Sequence, residues 1–130
     1  LTLILSLRSS DAVAFKELKT MLTQIAAKYS SEVEFYGEYS MWQYEPVSPL
    51  REKAICLWQE MFGEKPNIQA VHGGLECGVL KGKYPNLDMI SLGPDLFDVH
   101  TPREYVSLPS VSRTFSFVRQ LVLSLQPPGN

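Results

Sequence analysis

Of the two histidines in this chain, His100 has the setting best suited to chemistry. It lies in the stretch LDMISLGPDLFDVHTPREYVSLPSVSR, residues 87–113. There Gly93-Pro94 breaks an apolar run, Phe97 and Val99 alternate with Asp98 and His100, and Thr101-Pro102 stops the alternation. The imidazole is therefore expected at a strand end beside a rigid turn. Imidazole is the commonest side-chain metal ligand and titrates nearest neutral pH, so metal ligation is the first chemistry to weigh. The plainer alternative is a solvated histidine at a strand end. His72, together with Asp95, Asp98, Glu76 and Glu104, completes a mixture from which a zinc site could be drawn. Its spacing is not diagnostic, because histidines on different turns do not make a helical H-x-x-x-H pair.

Cys77 and Arg8 offer other chemistry. Cys77 near a helix start with a histidine partner could be a nucleophile, although its small and apolar neighbours are those of a packed cysteine. Arg8, at the end of the first apolar run and followed by Ser9-Ser10, could clamp a carboxylate, since a guanidinium binds both oxygens at once. A solvated arginine is the default there.

The elements that must position these residues can be read from periodicity. Residues 1–7 are strand-like, and Ser9-Ser10-Asp11 offers oxygens to cap a helix from about Asp11 to Tyr29. Its expected apolar face carries Phe15, Leu18, Met21, Leu22, Ile25 and Ala26. Val33, Phe35 and Tyr39 share one parity and predict a half-buried strand, so the first 40 residues read β-α-β. The segment WQYEPVSP, residues 42–49, holds two prolines and no sustained period, which suits a linker between lobes. A helix follows from Leu50 to Phe62, closed by Gly63 and Pro66. Next come a short strand at residues 68–72, then a Gly73-Gly74 turn opening a short helix whose free amides would welcome an anion. Another short apolar run at residues 87–92 suits a strand, although periodicity alone does not separate it from a buried helix end. A strand at residues 105–108 and a helix at residues 110–125 complete the chain, with Val111, Phe115, Val118, Leu121 and Val122 on the helix's expected face.

Composition limits what these elements can belong to. At 130 residues, 45% hydrophobic and 20% charged, the chain can fold as one domain or as pieces of two. Twelve basic against fourteen acidic side chains give a net charge of −2 with no basic run, which argues against a nucleic-acid or anionic-membrane surface. Two cysteines are too few for a disulfide framework and suit a reducing compartment. The apolar opening LTLILSL falls far short of a membrane span and has no basic leader. A chain that starts inside an apolar strand without an initiator methionine is expected to be part of something longer.

The blocks HGGLECG and GPDLFDVHTPREYVSLPSVSR, with Arg8-Ser9-Ser10 and the WQYEPVSPL crossing, resemble the C-terminal part of the aminoacyl-histidine dipeptidases. These are the Xaa-His, carnosinase-like branch of the di-zinc aminopeptidase and carboxypeptidase superfamily. The resemblance implies an α/β fold: the closing β-α-β of a ferredoxin-like lid or dimerisation domain at residues 1–41, a crossing linker at 42–49, and the C-terminal α/β part of the zinc-peptidase catalytic domain at 50–130. By the same resemblance His100 matches a zinc ligand, Arg8 the lid arginine that holds the substrate carboxylate, and Gly74 a glycine whose backbone lies against the substrate. Glu76 matches a position near the site that is not a metal ligand.

The intact protein is then expected to be a cytoplasmic homodimer holding two zinc ions, or another divalent metal. It would hydrolyse Xaa-His dipeptides by metal-activated water. The histidine-x-aspartate motif, the bridging aspartate, the paired glutamates and the lid histidine of that family are absent from these residues. No catalytic residue is therefore expected here, and the segment alone is expected to be inactive, because one imidazole neither holds nor activates a metal pair. The alternative is a noncatalytic lid or subunit-contact module that binds no metal, with a Cys77 hydrolase a distant third.

Overall fold

Ser9, Asp11 and the periodic apolar residues after them start the first helix. In a computed structural model that describes residues 1–38, 40–71 and 76–126, α1 runs Ala12–Lys28. The Asp11 carboxylate accepts the Ala14 N–H at 2.8 Å, and the Ser9 hydroxyl accepts the Asp11 N–H at 3.0 Å. Two otherwise unpaired donors at the chain's entry into the helix are thus satisfied. The half-buried stripe on α1 is narrower than the apolar pattern. Phe15, Leu18, Leu22 and Ala26 lie on it, whereas Val13, Met21 and Ile25 are exposed.

α2 spans Pro49–Phe62. The Ser48 hydroxyl caps it by accepting the Arg51 N–H at 3.1 Å, and Pro49 occupies the first turn, where no N–H is needed. Gly63 ends it in the left-handed conformation at φ 74°, donating its N–H to the Gln59 carbonyl at 2.9 Å. α3 is Glu76–Lys83. Its buried Gly78 faces the Ser40 backbone carbonyl, where a β-carbon would collide. The glycine here serves close packing of helix on chain.

β1 (Leu96–Phe97) and β2 (Tyr105–Val106) form an antiparallel pair in the register Leu96↔Val106 and Phe97↔Tyr105. α4 follows directly as Leu108–Leu125. It starts earlier than the pattern predicted and cuts short the strand expected at residues 105–108. That pair is the sheet found among the described residues. The strands expected at residues 1–7, 33–38, 68–71 and 87–92 carry no ladder there. Alternation marks a face and says nothing of a partner, and a strand without a hydrogen-bonded neighbour is not a strand. Tyr39 and the end of the strand expected at 68–72 lie outside the described residues.

The chain divides into two units, Leu1–Val47 with Ile68–Asp88, and Ser48–Asn67 with Met89–Asn130. In the second, α2 packs on α4 around Ala54, Phe117 and Leu121, with Leu57, Trp58, Met61, Phe62 and Ile90 against them. Trp58 meets Phe62 at 4.5 Å and Phe117 edge-on at 5.0 Å between ring centroids, arrangements that aromatic quadrupoles favour. α4 therefore turns Phe117 and Leu121 inward. Of the face expected from the sequence only Leu121 is buried, while Val111, Phe115, Val118 and Val122 point to solvent. The helix has two apolar faces, and among the described residues one of them is covered.

Candidate functional site

His100 stands in the connection between β1 and β2, and the residues around it fix that connection closely. Asp98 and His100 are both left-handed, at φ 49° and 66°. Such a conformation costs a non-glycine residue roughly 1–2 kcal/mol, so surrounding bonds must hold it. The Asp98 carbonyl accepts the Thr101 N–H at 3.1 Å and the Thr101 hydroxyl at 2.7 Å. The Thr101 carbonyl accepts the Glu104 N–H at 3.1 Å, and the Glu104 carboxylate accepts the His100 N–H at 2.9 Å. Phe97 and Tyr105 stack across the strand pair at 4.8 Å and 12° between planes.

The base of this hairpin is fastened to α4. Asp95 donates its N–H to the buried Ser110 hydroxyl at 2.8 Å, and its carbonyl accepts the Ser107 N–H at 3.0 Å. Its carboxylate accepts from Arg113 at 3.1 Å, and the Arg113 guanidinium lies 5.5 Å from the Trp58 ring centroid. A continuous path of bonds and contacts therefore runs from the hairpin base through α4 to the aromatic core. Position on a packed element is what a ligand needs for precision.

The His100 side chain is exposed and makes no hydrogen bond among the described residues. Its neighbours are committed elsewhere: Asp98 lies 4.0 Å from Arg103, Asp95 is paired with Arg113, and Glu104 holds the His100 backbone. Among the described residues no group of three histidine, cysteine or carboxylate side chains is placed to hold a metal. The hairpin thus fits a single-imidazole contribution to a metal site and does not make a site by itself.

Arg8 belongs to the first unit, exposed, three residues ahead of the Asp11 cap, with no ion pair among the described residues. A guanidinium beside a capped helix start and free of a carboxylate partner is open to one. Glu76 opens α3, where its carboxylate complements the positive end of the helix. Cys77, next in line, is half-buried and free, as a packed cysteine would be. His72 and Gly74 lie outside the described residues. Sequence reading missed the roles of Asp95, Ser110 and Arg113 as the hairpin's anchor. The signal available was the run Ser107, Pro109, Ser110, which marks a helix start, although Ser107 makes no side-chain cap bond and Ser110 bonds Asp95 instead.

No model of a known protein family matches the chain. A curated relative does: the cytosol non-specific dipeptidase of Escherichia coli is 35% identical over 103 residues, which are 79% of this chain and 21% of that enzyme. Among solved structures, the aminoacylhistidine dipeptidase of Vibrio alginolyticus superposes with a TM-score of 0.75 at 30% identity, covering 94% of this chain and 25% of that one. By fold and by sequence the chain is a relative of the dipeptidases. More particularly, it is related to those of the aminoacylhistidine and cytosol non-specific type, and it spans about a fifth to a quarter of their length.

Proposed function

We propose that the chain is the C-terminal part of a zinc dipeptidase that cleaves Xaa-His dipeptides in the cytosol as a homodimer. The observation that carries this reading is the match to an aminoacylhistidine dipeptidase over 94% of the chain at 30% identity. The hairpin supports it, because a strained turn fastened to a packed helix ends in an imidazole with no protein partner among the described residues. A cytosolic location agrees with the name of the Escherichia coli relative. Among the described residues no helix is long and apolar enough to cross a membrane.

In this reading His100 holds one of two zinc ions. The chemistry supplied by bound zinc is activation of water and polarisation of the scissile carbonyl. The residues of this chain bind and orient. His100 offers a ring nitrogen from a turn held by the Asp98, Thr101 and Glu104 bonds, Arg8 takes the two oxygens of the dipeptide carboxylate, and Gly74 lets the backbone approach the substrate. The proton is moved by a carboxylate outside these residues.

The test is zinc content and dipeptide turnover in the full-length protein. His100→Ala should lower bound zinc and Xaa-His hydrolysis together while leaving far-UV circular dichroism unchanged, because the exposed imidazole supports no core contact. Two zinc ions with parental turnover in that variant would show that the hairpin is not part of the metal site.

A further inference from the structure

Glu104 faces His100 across the turn, and its carboxylate does something specific there. It accepts the His100 backbone N–H at 2.9 Å. It therefore acts on the backbone of the residue whose side chain the proposed function uses, and its other links are backbone ones, from its own N–H to the Thr101 carbonyl. His100 at φ 66° needs such a partner, since a β-carbon-bearing residue leaves the left-handed region readily when nothing holds it. A change from left-handed to ordinary extended backbone would swing the Cα–Cβ bond and carry the imidazole away from its place at the tip.

We propose that Glu104 is a positioning residue for His100. By accepting the His100 N–H it holds the left-handed backbone from which the imidazole is presented to the metal. This rests on the reading of His100 as a ligand, and the experiment separates the two. Glu104 is exposed and packs on no part of the α2–α4 core, so its role is local to the hairpin. Nor is the charge the essential property. An N–H needs an acceptor at the right reach, and a glutamine side-chain carbonyl supplies one while an aspartate is a methylene too short.

Zinc affinity of the full-length protein is measured by competition with a chromophoric chelator for the parent, His100→Ala, Glu104→Ala, Glu104→Asp and Glu104→Gln, with thermal unfolding of each metal-free variant alongside. Loss of the partner that orients a metal ligand typically costs tenfold to a hundredfold in affinity, and that range is expected for the alanine and aspartate variants. Glutamine should restore most of it. Adding Glu104→Ala to His100→Ala should cost no further affinity, because the positioning has nothing left to position. If His100→Ala binds zinc as the parent does, the ligand reading fails. If His100→Ala loses zinc and Glu104→Ala does not, the positioning inference is overturned and the ligand reading stands. A glutamine variant as weak as alanine overturns it too, since that is the signature of a carboxylate that touches the metal directly. Should the alanine variant fail to fold, the contrast between glutamine and aspartate still decides.

Discussion

His100 and Arg8 differ in how far the surroundings commit them. The backbone of His100 is held by Glu104 and by the Asp98–Thr101 bonds, so what the side chain does is set by where the turn points it. Arg8 precedes a helix cap and has no ion pair among the described residues, so its chemistry rests on the guanidinium itself. Arg8→Lys keeps the charge and gives up the planar two-pronged donor. In the full-length protein it should lower kcat/KM for a dipeptide by about 1–3 kcal/mol of transition-state binding and leave zinc content alone. Steady-state kinetics with metal analysis checks both halves. Unchanged kcat/KM would return Arg8 to the role of a solvated arginine. A turn near His100 was legible from Thr101-Pro102, but the strand expected to end at His100 ends at Phe97, and His100 lies inside the turn. The left-handed φ was not legible, because sequence assigns that region to glycine and asparagine before it assigns it to histidine.

At the scale of the element, helices were more legible than strands: of the expected strands, the one at 105–108 is met in part by β2, and the alternation at 97–100 only at Phe97 in β1. Gly63 closes α2 and Asp11 opens α1 as expected, because caps are local chemistry carried by adjacent residues, whereas Ser48-Pro49, expected in the linker, opens α2. A strand is completed by a neighbour far away in sequence or in another part of a protein, so residues 1–7 have the right composition and no ladder. α4 joins the two cases. Its helical period was plain, but Val111, Phe115, Val118 and Val122 make as good a stripe as the one that packs, and periodicity does not rank two stripes. The buried stripe is the one that meets Trp58 and Ala54. Phe117→Ala should therefore destabilise the α2–α4 unit by about 3–5 kcal/mol, as removal of a buried aromatic ring does. Phe115, 70% exposed, should behave oppositely: Phe115→Ser changes the stability of the separate chain by no more than about 0.5 kcal/mol. In the full-length protein the same substitution should destabilise by several times that amount, because the second stripe is there to be covered. Urea unfolding of both variants in both contexts gives the four numbers. A Phe115→Ser cost that is equally small in the full-length protein would mean that nothing packs on that stripe.

Over the whole chain, each unit leaves large apolar side chains uncovered: Leu3, Ile4 and Leu5 in the first, and Val111, Phe115, Val118 and Val122 on the outer stripe of α4 in the second. Among the described residues the buried apolar side chains are Ala54, Phe117 and Leu121, a small core for a chain of 130 residues. Produced separately, the chain should self-associate and bind a hydrophobic dye. It should also fail to hydrolyse an Xaa-His dipeptide when zinc is added, for a reason distinct from stability. A catalytic zinc takes about three protein ligands besides its open position, and the described residues bring no such group together. A single imidazole leaves the metal weakly held, and of the nearby carboxylates Glu104 is taken up by the His100 backbone N–H. Free histidine released from the dipeptide, followed with zinc and with chelator, reads this directly. Zinc-dependent release that survives repurification and vanishes in His100→Ala would mean that this segment builds a working metal site from its own residues.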